Sequence, residues 1–285
     1  MANIRLIKRR IKSAKNIAQI TKAMELVAAS KMKRAQLQAL SGKLYAQKIF
    51  ETVLRLSARI TSSAHPLLTR PEKPTGRRLV VLISTNKGLC GGLNTNLFRY
   101  LLATYPHMEH NDFLTVGKKG SSFVTNIGAT LKADFSESAS LITIVPALTE
   151  MITTQYLEGH ADGVDLVFSE FLSVLKQAPR KKIILPLTLE SMETHEAQKA
   201  VEFLIEPSVD EVFNALLPHY LENQIRDAIL QAEASEHSAR MVAMRNATDN
   251  AMGLMGELTL LYNKARQEKI TYEISDMVTA RLAVE

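Results

Sequence analysis

The chain has 285 residues, 46% of them hydrophobic, with a net charge of +6, a single cysteine and no tryptophan. That composition excludes a disordered chain and an internal disulfide framework, and the lone Cys90 fits a reducing compartment. The longest uninterrupted apolar run, 79–83, is far short of the ~20 residues of a membrane-spanning helix, so a soluble protein without membrane insertion is expected.

Charge is placed unevenly. Residues 1–50 hold twelve Lys/Arg against Glu25 alone, a net +11, which leaves −5 for the rest of the chain. A basic end on a mildly acidic body points to an anionic partner: nucleic acid, acidic lipid headgroups or an acidic protein surface. A stacking surface for nucleic acid is missing, because Tyr45 and Phe50 are the only aromatics among the first fifty residues. The first two dozen residues share the Arg/Lys-rich amphipathic pattern of a transit peptide, but the helical pattern runs on past Ser30 and Leu40 without a break.

From residue 3 to about 58 there is no proline and Gly42 is the only glycine, so nothing obligatory stops a helix. Ile4, Ile7, Ile11, Ala14, Ile17, Ile20, Met24 and Val27 recur every three or four residues and define an expected packing seam. At ~1.5 Å per residue this helix would reach ~80 Å, and such a helix needs a partner along its length. Residues 62–76, with Pro66, Pro71, Pro74 and Gly76, have the composition of a linker.

The middle region alternates strand and helix. Strands are expected at 79–83, 113–116, 131–135, 164–168 and 182–189, and helices at 94–105, 121–126 and 145–157. The result is a small, doubly wound, mainly parallel α/β domain over 77–190, with Pro186 marking the last strand as an edge strand open to antiparallel pairing.

After Pro207 the pattern turns helical again. A short helix carrying Val209, Val212, Phe213 and Leu216 is expected to be interrupted by Pro218, and a second long helix to run from there to about 282. Its seam is Ala228, Ala232, Ser235, Ala239, Ala243, Ala247 and Ala251, followed by the bulkier Met255, Leu258, Leu261 and Ala265. One helix enters the middle domain and the other leaves it, so segments 1–60 and 207–285 are expected to pair as an antiparallel coiled coil. The fold class is therefore α/β with a long coiled coil of the two chain ends.

Signals for chemistry are few. The loop 85–94, with Gly88, Gly91 and Gly92, sits where phosphate-binding loops sit, but Lys87 precedes the glycines and neither the P-loop nor the dinucleotide spacing is met. Tight turning explains those glycines better. His107 and His110, with Glu109 and Asp112 nearby, have the spacing of two metal ligands, yet a surface polar turn is the favoured reading. His65, His160, His195, His219 and His237 are scattered, so no catalytic residues, cofactor or metal are expected.

Four stretches say more than periodicity: Ile20-Thr-Lys-Ala-Met-Glu-Leu-Val-Ala-Ala-Ser-Lys-Met32, Gly88-Leu-Cys-Gly-Gly-Leu-Asn94, Ala234-Ser-Glu-His-Ser-Ala-Arg-Met-Val-Ala-Met244 and Leu261-Tyr-Asn-Lys-Ala-Arg-Gln267. Together they closely resemble the gamma subunit of the rotary, F-type ATP synthase. The resemblance implies a non-catalytic central shaft that couples proton-driven rotation to the catalytic cycle of surrounding beta subunits. Its implied partners are the ring of alpha and beta subunits, the epsilon subunit and the membrane c-ring, with no nucleic acid. Its implied place is the cytoplasmic face of a bacterial inner membrane, held peripherally through the complex. The resemblance further implies that Met24, Arg240, Arg266, Gln267 and Thr271 contact the stator ring. The alternative from the charge pattern alone is a basic coiled-coil adaptor for nucleic acid or anionic membrane.

Overall fold

The computed structural model describes residues 4–57, 65–69, 74–137, 141–187 and 205–282. Positions 62–64 and 70–73 of the expected linker, and 188 and 189 of the expected last strand, lie outside the described residues. Two helices are far longer than the rest: α1 (Ile4–Ser57) and α5 (Val209–Leu282). Between them run β1 (Arg78–Ile83), α2 (Leu93–Thr104), β2 (Asn111–Val116), α3 (Lys118–Asn126), β3 (Thr130–Asp134), α4 (Val145–Leu157), β4 (Gly163–Phe171) and β5 (Gln177–Leu185). The chain divides into two compact units, one of residues 1–29 and 240–285 and one of residues 30–239, and the division falls within both long helices.

In the larger unit the strands lie in the order β3-β2-β1-β4-β5. The first three pairings are parallel, and β5 returns antiparallel to β4. β1 and β2 are buried along nearly their whole length because helices cover both faces, which is why they read as continuous apolar runs rather than alternating ones. On one face Val80, Leu82, Phe113 and Val167 pack with Leu97 and Leu101 of α2 and Val124 of α3. On the other, Leu79, Val81, Leu114 and Leu166 pack with Leu148 and Ile152 of α4, Val53 of α1 and Leu217, Leu221 and Ile225 of α5.

A buried ion cluster ties the sheet across its strands. The fully buried Asp165 of β4 accepts two hydrogen bonds from the Arg78 guanidinium, at 2.7 and 2.6 Å, and one from the Tyr105 hydroxyl at 2.6 Å. Lys181 of β5 approaches the same carboxylate at 3.0 Å. At the carboxyl end of β1, Ser84 binds the turn into α3: the Gly120 N–H donates to Ser84 Oγ at 2.7 Å, and Gly117 takes φ +105° where a Cβ would lie 2.3 Å from the Ser84 carbonyl oxygen. Only glycine fits there.

Two expectations about these elements are corrected. The last strand starts at Gln177 and ends at Leu185, before Pro186, so it begins five residues earlier than 182 and contains Pro179. Its early residues are polar and charged, and an edge strand of a hairpin accepts both them and a proline, because one row of its backbone groups needs no partner. Pro218, expected to interrupt a helix, lies inside α5. Phe213, Leu217, Leu221 and Ile225 form one buried row through this point, while Pro218 and Asn214 face solvent. Water can therefore serve the carbonyl that loses its N–H partner, and the packing holds the helix together.

In the smaller unit α1 and α5 pair along a strict heptad. On α1 the inward positions are Ile7, Ile11, Ala14, Ala18, Thr21, Glu25 and Ala28, and on α5 Met244, Thr248, Ala251, Met255, Leu258, Tyr262 and Ala265, each series alternating steps of four and three. The Thr21 and Thr248 hydroxyls meet at 2.7 Å across the seam. An antiparallel pair in that register brings Ile4 level with Ala265, and among the described residues Ala265 is the last buried one of α5.

The expected seam of α1 is thus right at Ile7, Ile11 and Ala14, finds Met24 half-buried, and is wrong at Ile17, Ile20 and Val27. Ile17, Ile20 and Val27 are 52%, 59% and 58% exposed and point outward. Three consecutive steps of three, from Ile11 to Ile20, follow the bulky isoleucines around the helix, whereas the 3.5-residue period passes through the small Ala18 and Thr21. On α5, likewise, Thr248 and Tyr262 take the inward places expected for Ala247 and Leu261. Small residues on both sides bring two backbones close, and that leaves no room for isoleucine between them.

Candidate functional site

The candidate contact residues all lie in the smaller unit. Met24 is half-buried on α1, one turn from Thr21, and Arg240 is half-buried on α5, two turns before Thr248. Arg266, Gln267 and Thr271 follow Ala265 on α5 and are exposed, with the Thr271 hydroxyl donating to the Gln267 carbonyl at 3.0 Å. The structure brings Arg266, Gln267 and Thr271 together within two turns and leaves Met24 and Arg240 separate from them. What these side chains offer is contact: two guanidinium groups, an amide, a hydroxyl and a thioether.

Sequence reasoning missed how apolar the outward surface is. Besides Ile17, Ile20 and Val27, the exposed side chains include Leu254, Leu260 and Leu261, and beyond the end of the seam Ile270, Ile274 and Met277 continue on α5. Residues 266–281 are exposed throughout. The signal that could have found this face was the heptad itself: with 7, 14, 21 and 28 inward, 17, 20 and 27 must face away. Isolated exposed leucines need no explanation, but a run of large apolar side chains on helices already paired marks a surface made to meet another protein.

The other candidate sites resolve into local structure. In the loop 85–94 the left-handed positions are Leu89 and Gly91, at φ +63° and +59°. The Asn94 side-chain amide donates to Thr85 Oγ1 at 2.7 Å, and Thr85 Oγ1 donates to the Lys87 carbonyl at 2.9 Å, closing the loop on itself. His107 and His110 stack edge to face, with ring centroids 5.9 Å apart, on an exposed turn. Among the described residues no three His, Cys, Asp or Glu side chains gather as a metal site. His195 lies outside the described residues. Among the described residues no helix is long and apolar enough to cross a membrane.

Solved structures share this fold. A chain of the cryo-EM structure of the Euglena gracilis mitochondrial ATP synthase, OSCP/F1/c-ring, superposes with a TM-score of 0.68 at 21% identity, over 99% of this chain and 94% of that one. A chain of the Tetrahymena thermophila mitochondrial ATP synthase central stalk/c-ring gives 0.57 at 24% identity, over 80% and 99%. The family described as ATP synthase matches residues 3–284. The ATP synthase gamma chain of Opitutus terrae is 40% identical over 99% of both chains, and that of Dehalococcoides mccartyi 41% identical over the whole of both. The chain belongs to the ATP synthase gamma chain family, and is thereby a subunit of that enzyme complex.

Proposed function

We propose that this chain turns as the central shaft of the synthase, and that the apolar outer face of its paired helices is the bearing surface against a surrounding ring of alpha and beta subunits. The observation that carries the reading is the separation of faces: small residues lock α1 to α5 along the seam, while Ile17, Ile20, Val27 and Leu254 point outward. Apolar contacts are non-directional, so such a surface can slide past a sleeve without a fixed register. Arg240, Arg266, Gln267 and Thr271 add directional contacts at defined angles, where charge complementarity sets specificity more than affinity. In this reading proton flow through a membrane c-ring turns the rotor, and the asymmetric shaft drives each catalytic beta subunit in turn through binding, formation and release of ATP. The larger unit, with the epsilon subunit, would face the c-ring, and the complex would sit on the cytoplasmic face of a bacterial inner membrane.

The basic-adaptor reading draws no support from the relatives. Co-purification tests the choice: a tagged chain should bring down ATP-hydrolysing alpha and beta subunits, and failure to do so would remove the shaft assignment. Met24→Lys puts a charge on the half-buried edge of the rod, and is expected to lower the ratio of ATP made to protons moved more than it lowers assembly. Unchanged proton-driven synthesis in that variant would take Met24 off the bearing surface.

A further inference from the structure

The loop that sequence analysis singled out, and that shaft rotation does not use, closes over a small cavity at the carboxyl ends of β1 and β4. Here the chain's direction of travel across the sheet reverses, since β1 connects through α2 to β2 on one side and β4 turns directly into β5 on the other. The cavity holds about 10 Å³, the room of one water molecule. Its walls are partly apolar, with Ile83 and Leu97, but two polar atoms in it have no partner: Asn94 Oδ1, and the hydroxyl of Ser169, a residue only 3% exposed. Glu233 and Glu236 of α5 line the same space.

Orphaned buried polar atoms are rare because each forfeits its hydration, at a cost of roughly 1–3 kcal/mol. The Asn94 amide nitrogen is already committed to Thr85, so the carbonyl oxygen can only accept. Carboxylates also only accept, and the Ser169 hydroxyl can do either. A set of two kinds of acceptor and one hydroxyl is completed by a molecule with two donors and a lone pair.

We propose that this cavity is a binding site for one ordered water, which donates to Asn94 Oδ1 and to a glutamate carboxylate of α5 and accepts from the Ser169 hydroxyl. The water joins three elements at this point: the loop leading into α2, the end of β4, and α5. It fastens the Gly-rich loop to the helix that carries the rod.

A structure of the full chain, or of a complex containing it, at a resolution that shows ordered water should hold a single peak within hydrogen-bond distance of Asn94 Oδ1 and Ser169 Oγ. A dry cavity overturns the proposal, and so does an anomalous peak there after soaking in a thallium salt, which would make the site one for a monovalent cation. Thermal unfolding of Asn94→Ala, Ser169→Ala and the double variant gives an independent reading. If both residues hold the same water, the fall in midpoint of the double variant is smaller than the sum of the two single falls. Additive falls would mean that the two side chains share nothing.

Discussion

Asp165 shows how far single residues can be read. In the sequence it is one acid inside an apolar strand, and nothing local names its partner, because Arg78 lies 87 residues away. Burial pushes its carboxyl up, but the hydrogen bonds from Arg78, Tyr105 and Lys181 outweigh this and hold it below the usual carboxylate range. The same burial and the neighbouring carboxylate push the Tyr105 phenol up, so it stays a donor. A carboxyl with a depressed folded pKa contributes stability that is complete above the unfolded value of about 3.9 and is lost as pH falls through the folded value. Asp165→Asn removes the charge and leaves Arg78 and Lys181 without it. Both are partly solvated, so the expected loss is about 2–3 kcal/mol at neutral pH, at the lower end for a broken buried pair. The variant's stability should also depend less on pH below about 4 than the wild type's. Urea unfolding at neutral pH and at pH 3 measures both.

At the scale of elements, existence was legible and position less so. The absence of proline announced α1 and the part of α5 that follows Pro218, and α4 begins and ends where its pattern does, at Val145–Leu157. Strand β5 was legible only in its apolar second half, because its first half is held by pairing to β4 rather than by burial. The helix break expected at Pro218 failed for the opposite reason, since tertiary burial of the flanking row outweighs local propensity. That override carries a cost. Replacing Pro218 with alanine restores the N–H that the Asn214 carbonyl lacks, on a solvent-facing side where no packing is disturbed. Pro218→Ala is therefore expected to stabilise the chain by about 1–3 kcal/mol, read as a raised unfolding midpoint with unchanged helix content. A lower midpoint would show that the proline ring itself packs on something essential.

For the molecule as a whole, the antiparallel pairing of the two ends was legible from topology, since Thr21 and Thr248 meet across 227 residues of chain. The face of each helix that does the pairing was not. Bulky isoleucines look like core, and only the partner helix, with Thr248 and Ala251 opposite, makes alanine and threonine the better filling. That distinction separates folding from function at two adjacent positions. Ala18 is 7% exposed in the seam, whereas Ile17 beside it points outward. Ala18→Asp would bury an unpaired carboxylate between two close backbones and should cost several kcal/mol, seen as loss of the paired helices by circular dichroism and failure to assemble. Ile17→Asp adds the same group to a solvated face and should leave the unfolding midpoint within about 0.5 kcal/mol of the parent. If the outer face is a bearing, however, the Ile17 variant meets a cost once the sleeve surrounds it, because the carboxylate is then desolvated at some angles of each turn. Proton-driven ATP synthesis by the assembled complex should fall while the isolated chain remains intact. Equal synthesis by parent and Ile17→Asp would mean that this side of α1 never touches the ring, and the apolar stripe would have to face something else.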